Sequence, residues 1–292
     1  MPADRGAVVN LLSFGHGYSA RALAPLLLAE GWRVTGTTRS HDKAREIAET
    51  GVTPLIFPGS DIGPELARAT HLLISAGPDE GGDPVLQAVG PQIAQAAPRL
   101  LWVGYLSTTG VYGDHDGGWV DEATPLTPST RRGAARVRAE AAWQALARDT
   151  GLPLHIFRLA GIYGPGRGPF EKVRNGTARR IVKQGQVFSR IHVEDIAQVL
   201  AASIDRPHPG AIYNVCDDDP APPEDVLAHA ADLLGVPRPP KVDFETAEMS
   251  PMARSFYAES KRVRNDLLKD ELGVRLRFPD YRSGLADLLA RE

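Results

Sequence analysis

Gly15-His16-Gly17-Tyr18-Ser19-Ala20 follows the apolar run Val8-Val9-Asn10-Leu11-Leu12 and opens a second apolar run, Leu23 to Leu28. Strand, tight glycine turn and helix in direct succession leave few folds open. Gly15 permits the turn, and Gly17 lets the backbone come close to a pyrophosphate. Ala20 is small enough for helix and strand to pack tightly. Tyr18, Ser19 and Ala20 then open the helix, whose unpaired N–H groups and positive dipole end suit phosphate. The bland alternative is a glycine-rich βα turn with no ligand.

The rest of the first half repeats this alternation. Candidate strands are Val8 to Phe14, Arg33 to Thr38, Pro54 to Phe57, His71 to Ser75, Leu100 to Tyr105 and Leu154 to Leu159. Helix-like segments run from Ala20 to Glu30, Lys43 to Thr50, Pro84 to Ala97 and Arg136 to Arg148, with Pro25 expected to kink the first. Such alternation predicts an α/β, Rossmann-type, doubly wound parallel sheet covered on both faces. The second half is punctuated by Gly161 to Gly168, Pro220 to Pro223 and Pro237 to Pro240, with a helix from Glu224 to Leu234. Residues 1–165 read as the dinucleotide-binding domain, rejoined by about 190–216, and 166–292 mostly as a small C-terminal lobe for substrate. A length of 292 residues suits this size.

The second strand ends Gly36-Thr37-Thr38-Arg39-Ser40, with no acid before Asp42. An Asp or Glu there would accept from the ribose 2′-hydroxyl of NAD and repel a 2′-phosphate. Arg39 instead offers a fork of donors, flanked by the Thr38 and Ser40 hydroxyls. NADP is therefore expected over NAD, the alternative being a solvated Arg39 and a Ser40 that only caps the next helix. A net charge of −3 gives no sign of nucleic acid or an anionic membrane as partner. The lone Cys216 excludes an internal disulfide and suits a reducing cytoplasm. No apolar run is long enough for a bilayer, and Met1-Pro2-Ala3-Asp4-Arg5 lacks the form of a signal peptide.

Further motifs fall in register with a known family. Asp61-Ile62 comes after the third strand, and Ser75-Ala76-Gly77 after the fourth. Ser107-Thr108-Thr109-Gly110-Val111-Tyr112-Gly113 follows the fifth. Then come Asp121-Glu122, Thr124-Pro125-Leu126-Thr127-Pro128, Arg158-Leu159-Ala160-Gly161-Ile162-Tyr163-Gly164-Pro165-Gly166 and Arg190-Ile191-His192-Val193-Glu194-Asp195. In this order the chain resembles the short-chain dehydrogenase/reductase superfamily, in its extended or atypical branch near the NAD-dependent epimerase/dehydratases. The resemblance implies that Asp61 meets the adenine and that Ser75, Ala76 and Gly77 let the cofactor pass. Ala160 and Ile162 join the cofactor residues. Thr108 aligns with the hydroxyl that polarises the substrate, and Tyr163 and Arg167 stand on the substrate side. Relatives that pair through two long helices leave monomer and homodimer both open.

One departure stands out. Where the family has Tyr-x-x-x-Lys, this chain reads Arg132-Gly133-Ala134-Ala135-Arg136. A guanidinium stays protonated and cannot replace a phenol as general acid. Arg136 can still donate to the nicotinamide ribose. Three readings follow: an oxidoreductase or epimerase-like enzyme whose proton comes from Tyr112, Tyr163, His115 or water; one whose Arg132 binds a small anionic substrate; or a non-catalytic NADP(H)-binding sensor. Arg132 and Arg136 also share a helix face and could simply be solvated. Tyr112 and Tyr163 could be packing residues. The spacing of Asp114-His115-Asp116 matches no metal motif, and Asp217-Asp218-Asp219 reads as a solvated loop.

Overall fold

The computed structural model describes residues 9–292. Val8 of the expected first strand and the Met1–Arg5 stretch lie outside the described residues. Strands β1 (Asn10–Phe14), β2 (Arg33–Thr38), β3 (Thr53–Ile56), β4 (His71–Ile74), β5 (Trp102–Thr108), β6 (Leu154–Leu159) and β7 (Ile212–Val215) form one sheet, in the order β3-β2-β1-β4-β5-β6-β7. The ladders are parallel, with Leu11 opposite Val34 on one side and His71 on the other. Every residue of β4 and β6 is buried, so both are largely apolar on both faces, with His71, His155 and Arg158 buried among them. This is the expected Rossmann-type sheet. The strand order reverses between β1 and β4, where sheets of this kind bind ligands.

The helices of the first half are α1 (Tyr18–Ala29), α2 (His41–Ala48), α3 (Gly63–Arg68), α4 (Pro84–Ala96) and α5 (Arg131–Thr150). Helix α1 continues through Pro25. Pro25 and Arg21, whose carbonyl loses its partner, are both exposed, so water can satisfy the free oxygen. A break falls in α4, where Val89 has φ −142° just ahead of Gly90-Pro91.

The chain forms two compact units. One holds the described residues up to Ser107, with Ala135–Phe157 and Ile196–Ile212. Its core includes Leu12, Phe14, Leu72, Ile74, Val103, Tyr105 and Trp143. The other holds Thr108–Ala134, Arg158–Asp195 and Tyr213–Glu292. Its core packs Tyr163 and Phe170 with residues of helices Pro223–Leu234 and Tyr281–Ala290. Short parallel pairs, Gly161–Tyr163 with Arg190–His192 and Trp119–Val120 with Arg262–Val263, tie this unit's distant segments together. Asp195 is fully buried and accepts the N–H groups of Arg277 and Phe278 at 2.7 and 3.1 Å. Cys216 is also buried, which raises its thiol pKa well above the ordinary value. Among the described residues no helix is long and apolar enough to cross a membrane.

Three histidines of the first unit are buried: His16, His71 and His155. Burial pushes each down to about 4. The unfolded chain, with histidines near 6.5, therefore takes up protons before the folded one does. Stability falls as pH drops from 6.5 towards 4, by up to about 1.4 kcal/mol per pH unit for each histidine. Urea midpoints at pH 7.5, 6 and 5 should decline steeply. A flat profile would show that these rings accept protons in place.

Candidate active site

The glycine turn is set by a close approach of β1 to β4. The Ser75 and Ala76 N–H groups both donate to the Phe14 carbonyl, at 2.9 and 3.0 Å. Gly15 follows with φ +78°, and a Cβ there would lie 2.9 Å from the Ala76 nitrogen. Only glycine satisfies both the conformation and the space. The Gly15 N–H donates to Thr37 Oγ1 and the His16 N–H to the Thr37 carbonyl, both at 2.8 Å, so β2 holds the turn from its other side. Gly17 then caps α1 with no side-chain acceptor, and no acid stands in the first turn. The helix presents its positive end to an incoming anion. Ser19 and Ala20 are buried where α1 packs, and Tyr18 is half-buried.

The other expected cofactor residues of the first unit stand in their own elements. Arg39 is exposed at the end of β2, and no hydrogen bond or ion pair among the described residues engages it. Thr38 Oγ1 accepts the Ser40 N–H at 3.3 Å. Ser40 caps α2 by accepting the Lys43 N–H at 3.4 Å, so the capping role is realised while its hydroxyl can still donate. Asp61 is exposed and accepts the Gly63 N–H at 2.9 Å, turning the chain into α3. A Cβ on Gly77 would lie 3.4 Å from Arg136 Nη2, so the guanidinium reaches the loop after β4. Arg136 Nη1 donates to the Leu106 carbonyl at 2.6 Å and to the Tyr105 hydroxyl at 3.2 Å. Burial pushes the Tyr105 phenol up to about 12, despite Arg136 beside it. One turn further along α5, buried Glu140 accepts from Ser107 Oγ at 2.5 Å. Sequence reasoning passed over His16, although it stands between the two glycines. Its ring lies against Gly36, where a Cβ would come within 2.5 Å of it.

The second unit gathers a different set. Thr108 Oγ1 accepts the Gly110 N–H at 3.2 Å and keeps its own proton to donate. A Cβ on Gly133 would lie 2.6 Å from the Gly110 carbonyl oxygen, so the start of α5 is pressed onto this turn. Arg132, next to Gly133, is thereby brought beside the Thr108 turn, with its side chain exposed. Arg132 is open to water and Arg136 is half-buried. Gly113 has φ +76°, and a Cβ there would lie 1.9 Å from the Thr127 oxygen. Lys261 Nζ donates to the Gly113 carbonyl at 2.5 Å and to Glu259 Oε2 at 2.6 Å, while Ser129 donates to Glu259 Oε1 at 2.6 Å. No local signal in the sequence marks this long-range clamp.

Tyr112 is fully buried. Its hydroxyl donates to Asn214 Oδ1 at 2.7 Å and accepts from Arg158 Nη1 at 2.9 Å, and burial pushes its pKa up to about 12. His115 Nε2 contacts the Tyr112 carbonyl at 3.1 Å. Ala160 is buried, its N–H donating to the Val215 carbonyl at 3.0 Å, and Ile162 is half-buried opposite Ile191. Tyr163 donates to the Asp280 carbonyl at 3.4 Å, and burial drives its phenol pKa far up. Tyr163 and Arg167 do come together, in a cavity of about 290 Å³ that Arg190 also lines. The triple-aspartate loop departs from the solvated reading. Asp217 is 1% exposed, while Asp218 and Asp219 pair with Lys269 and Arg282.

A family model described as the NAD dependent epimerase/dehydratase family matches residues 92–216. Protein YeeZ of Escherichia coli K12 is 31% identical, over 91% of this chain and 95% of its own. A 3-diazoavenalumate denitrifying reductase from a Streptomyces species is 29% identical over 52% of each chain. A solved structure of a functionally unknown conserved protein from Silicibacter pomeroyi is 63% identical, with a TM-score of 0.92, and covers 97% of this chain and 99% of that one.

Tyr112→Phe deletes both hydroxyl bonds and takes from buried Asn214 Oδ1 its tyrosine donor. Unfolding in urea should show a loss of about 1–3 kcal/mol. An unchanged midpoint would mean that the hydroxyl does not hold these segments together.

Proposed function

The chain belongs to the NAD-dependent epimerase/dehydratase family within the extended short-chain dehydrogenases/reductases, and from that premise we propose an NADP-dependent oxidoreductase acting on a small anionic substrate. The observation that carries this reading is Arg39, exposed and unengaged at the end of β2, with no acid beside it. Its forked donors suit a 2′-phosphate, with Thr38 and Ser40 adding hydroxyls. The open end of α1 would take the pyrophosphate across Gly15 and Gly17. Asp61, Ser75, Ala76 and Gly77, with Ala160 and Ile162, would complete the cofactor contacts. When bound, the dinucleotide supplies or accepts a hydride.

The chain's own residues then divide the remaining work. Arg136, fixed by Leu106 and Tyr105, would donate to the nicotinamide ribose. Thr108 keeps a free O–H to polarise the substrate. Arg132 would hold the substrate's negative charge and stabilise charge that develops on it, without moving a proton. We assign Tyr112 to structure, since its hydroxyl is committed to Arg158 and Asn214. Tyr163 likewise offers its ring rather than its proton, which leaves His115 or water as the proton source. The Streptomyces relative, a reductase by its name, is in keeping with this chemistry. The single, buried Cys216 suits a reducing cytoplasm. The replacement of both family residues by arginine also favours a second reading, a non-catalytic NADP(H)-binding sensor.

Calorimetric titration with NADP, NADPH, NAD and NADH tests the cofactor. A charge-assisted pair on the 2′-phosphate is worth about 1.5–3 kcal/mol, so NADP(H) should bind about 10- to 100-fold more tightly than NAD(H). Arg39→Asp should erase that preference while sparing NAD. Equal wild-type affinities would sink the NADP assignment. Hydride transfer from deuterated NADPH to an acid of any kind supports the enzyme, and tight binding without transfer across a broad panel supports the sensor.

A further inference from the structure

We propose that the cavity lined by Tyr163, Arg167, Arg190, Val226, Tyr281 and Leu285 is a binding site for a small aromatic carboxylate, anchored by Arg190. This goes beyond the reading above, because it stands whether or not a dinucleotide binds the first unit.

Size narrows the ligand first. The cavity holds about 290 Å³. Ligand pockets run from about 300 to 1,000 Å³, so this one takes a compact molecule of one ring and a short arm, not a nucleotide. The walls select its character. Val226 stands on helix Pro223–Leu234, and Tyr281 and Leu285 on helix Tyr281–Ala290. Tyr163 spends its hydroxyl on the Asp280 carbonyl, so it presents mainly its ring. Two aromatic rings and two aliphatic side chains favour a flat apolar body.

Arg190 supplies the polar end. Its Nη1 donates to the Phe188 and Ala221 carbonyls, at 2.8 and 3.0 Å. Among the described residues Nε and Nη2 have no acceptor, and no carboxylate forms an ion pair with Arg190. Desolvation lowers its pKa, so its charge is carried at a cost that a partner would relieve. The nearest candidate inside the chain does not serve. Asp217 is buried and forms no ion pair with Arg190 among the described residues, and burial pushes its carboxyl up to about 8. The neighbouring Asp219 is already paired with Arg282. A ligand carboxylate would occupy the unspent fork of Arg190 with two parallel hydrogen bonds. Arg167, exposed on the Gly164–Arg167 turn, adds a second positive charge at the same cavity.

The test uses cinnamate as probe and cinnamamide as its neutral counterpart, titrated into the full chain by calorimetry. Saturable one-to-one binding of cinnamate is expected, with the amide at least 30-fold weaker. Arg190→Met should weaken cinnamate at least 30-fold. Because that change also strips donors from two carbonyls, Val226→Trp serves as a second variant. It fills the cavity from a half-buried helix position and should abolish cinnamate binding with an unchanged melting temperature. NADPH affinity, measured on the same samples, reports on the first unit and keeps failure of the cofactor reading separate. The proposal is overturned by absent or non-saturable cinnamate binding, by equal affinity for the amide, or by binding that survives both substitutions.

Discussion

The approach of β1 to β4 is the constraint on which the first unit depends. One carbonyl, that of Phe14, takes two N–H groups from the strand beside it, and the next residue has no room for a side chain. These two facts stop β1 abruptly and turn the chain at once into α1. They also explain why the helix begins uncapped. A capping side chain at Gly17 would satisfy the first turn, and the turn would lose its reason to attract an anion. The fold leaves a local polar demand open at the topological switch point of the sheet, where a ligand can meet it.

A similar logic separates the two arginines of α5. Both stand near the start of the helix, four residues apart. Arg136 is drawn inward, because a backbone carbonyl and a buried phenol offer acceptors that a long planar cation can reach. Arg132 finds no such acceptor and stays in water. Neither guanidinium can supply a proton.

Much of the sheet was legible because its signals are local. Apolar runs, glycine turns and the β–α alternation each lie within a few residues, and β2 and β6 have the bounds that the sequence suggests. The glycine turn and Arg39 could be read for the same reason. What could not be read is non-local. Trp119–Val120 becomes a strand only because Arg262–Val263 pairs with it. The burial of Asp217 depends on packing that no window of sequence contains. Arg190 belongs to a local motif, yet its half-spent guanidinium emerges only with the Phe188 and Ala221 carbonyls in place.

The Lys261–Glu259 pair shows what the second unit uses charge for. Both side chains are about nine-tenths buried, at 10% and 11% exposure. Burying an ion pair returns little stability, since desolvation offsets most of the attraction. Geometry is the better account. Lys261 grips Gly113 at the end of the turn that begins with Thr108, and Glu259 grips Ser129 three residues before Arg132. Gly113 and Gly133 let the same two segments touch without side chains between them. A hydrophobic pair of equal size would fill the space but would not hold one backbone oxygen and one hydroxyl at set distances. The buried charges thus fix the register of two loops, and with it the placement of a neutral donor beside a cation.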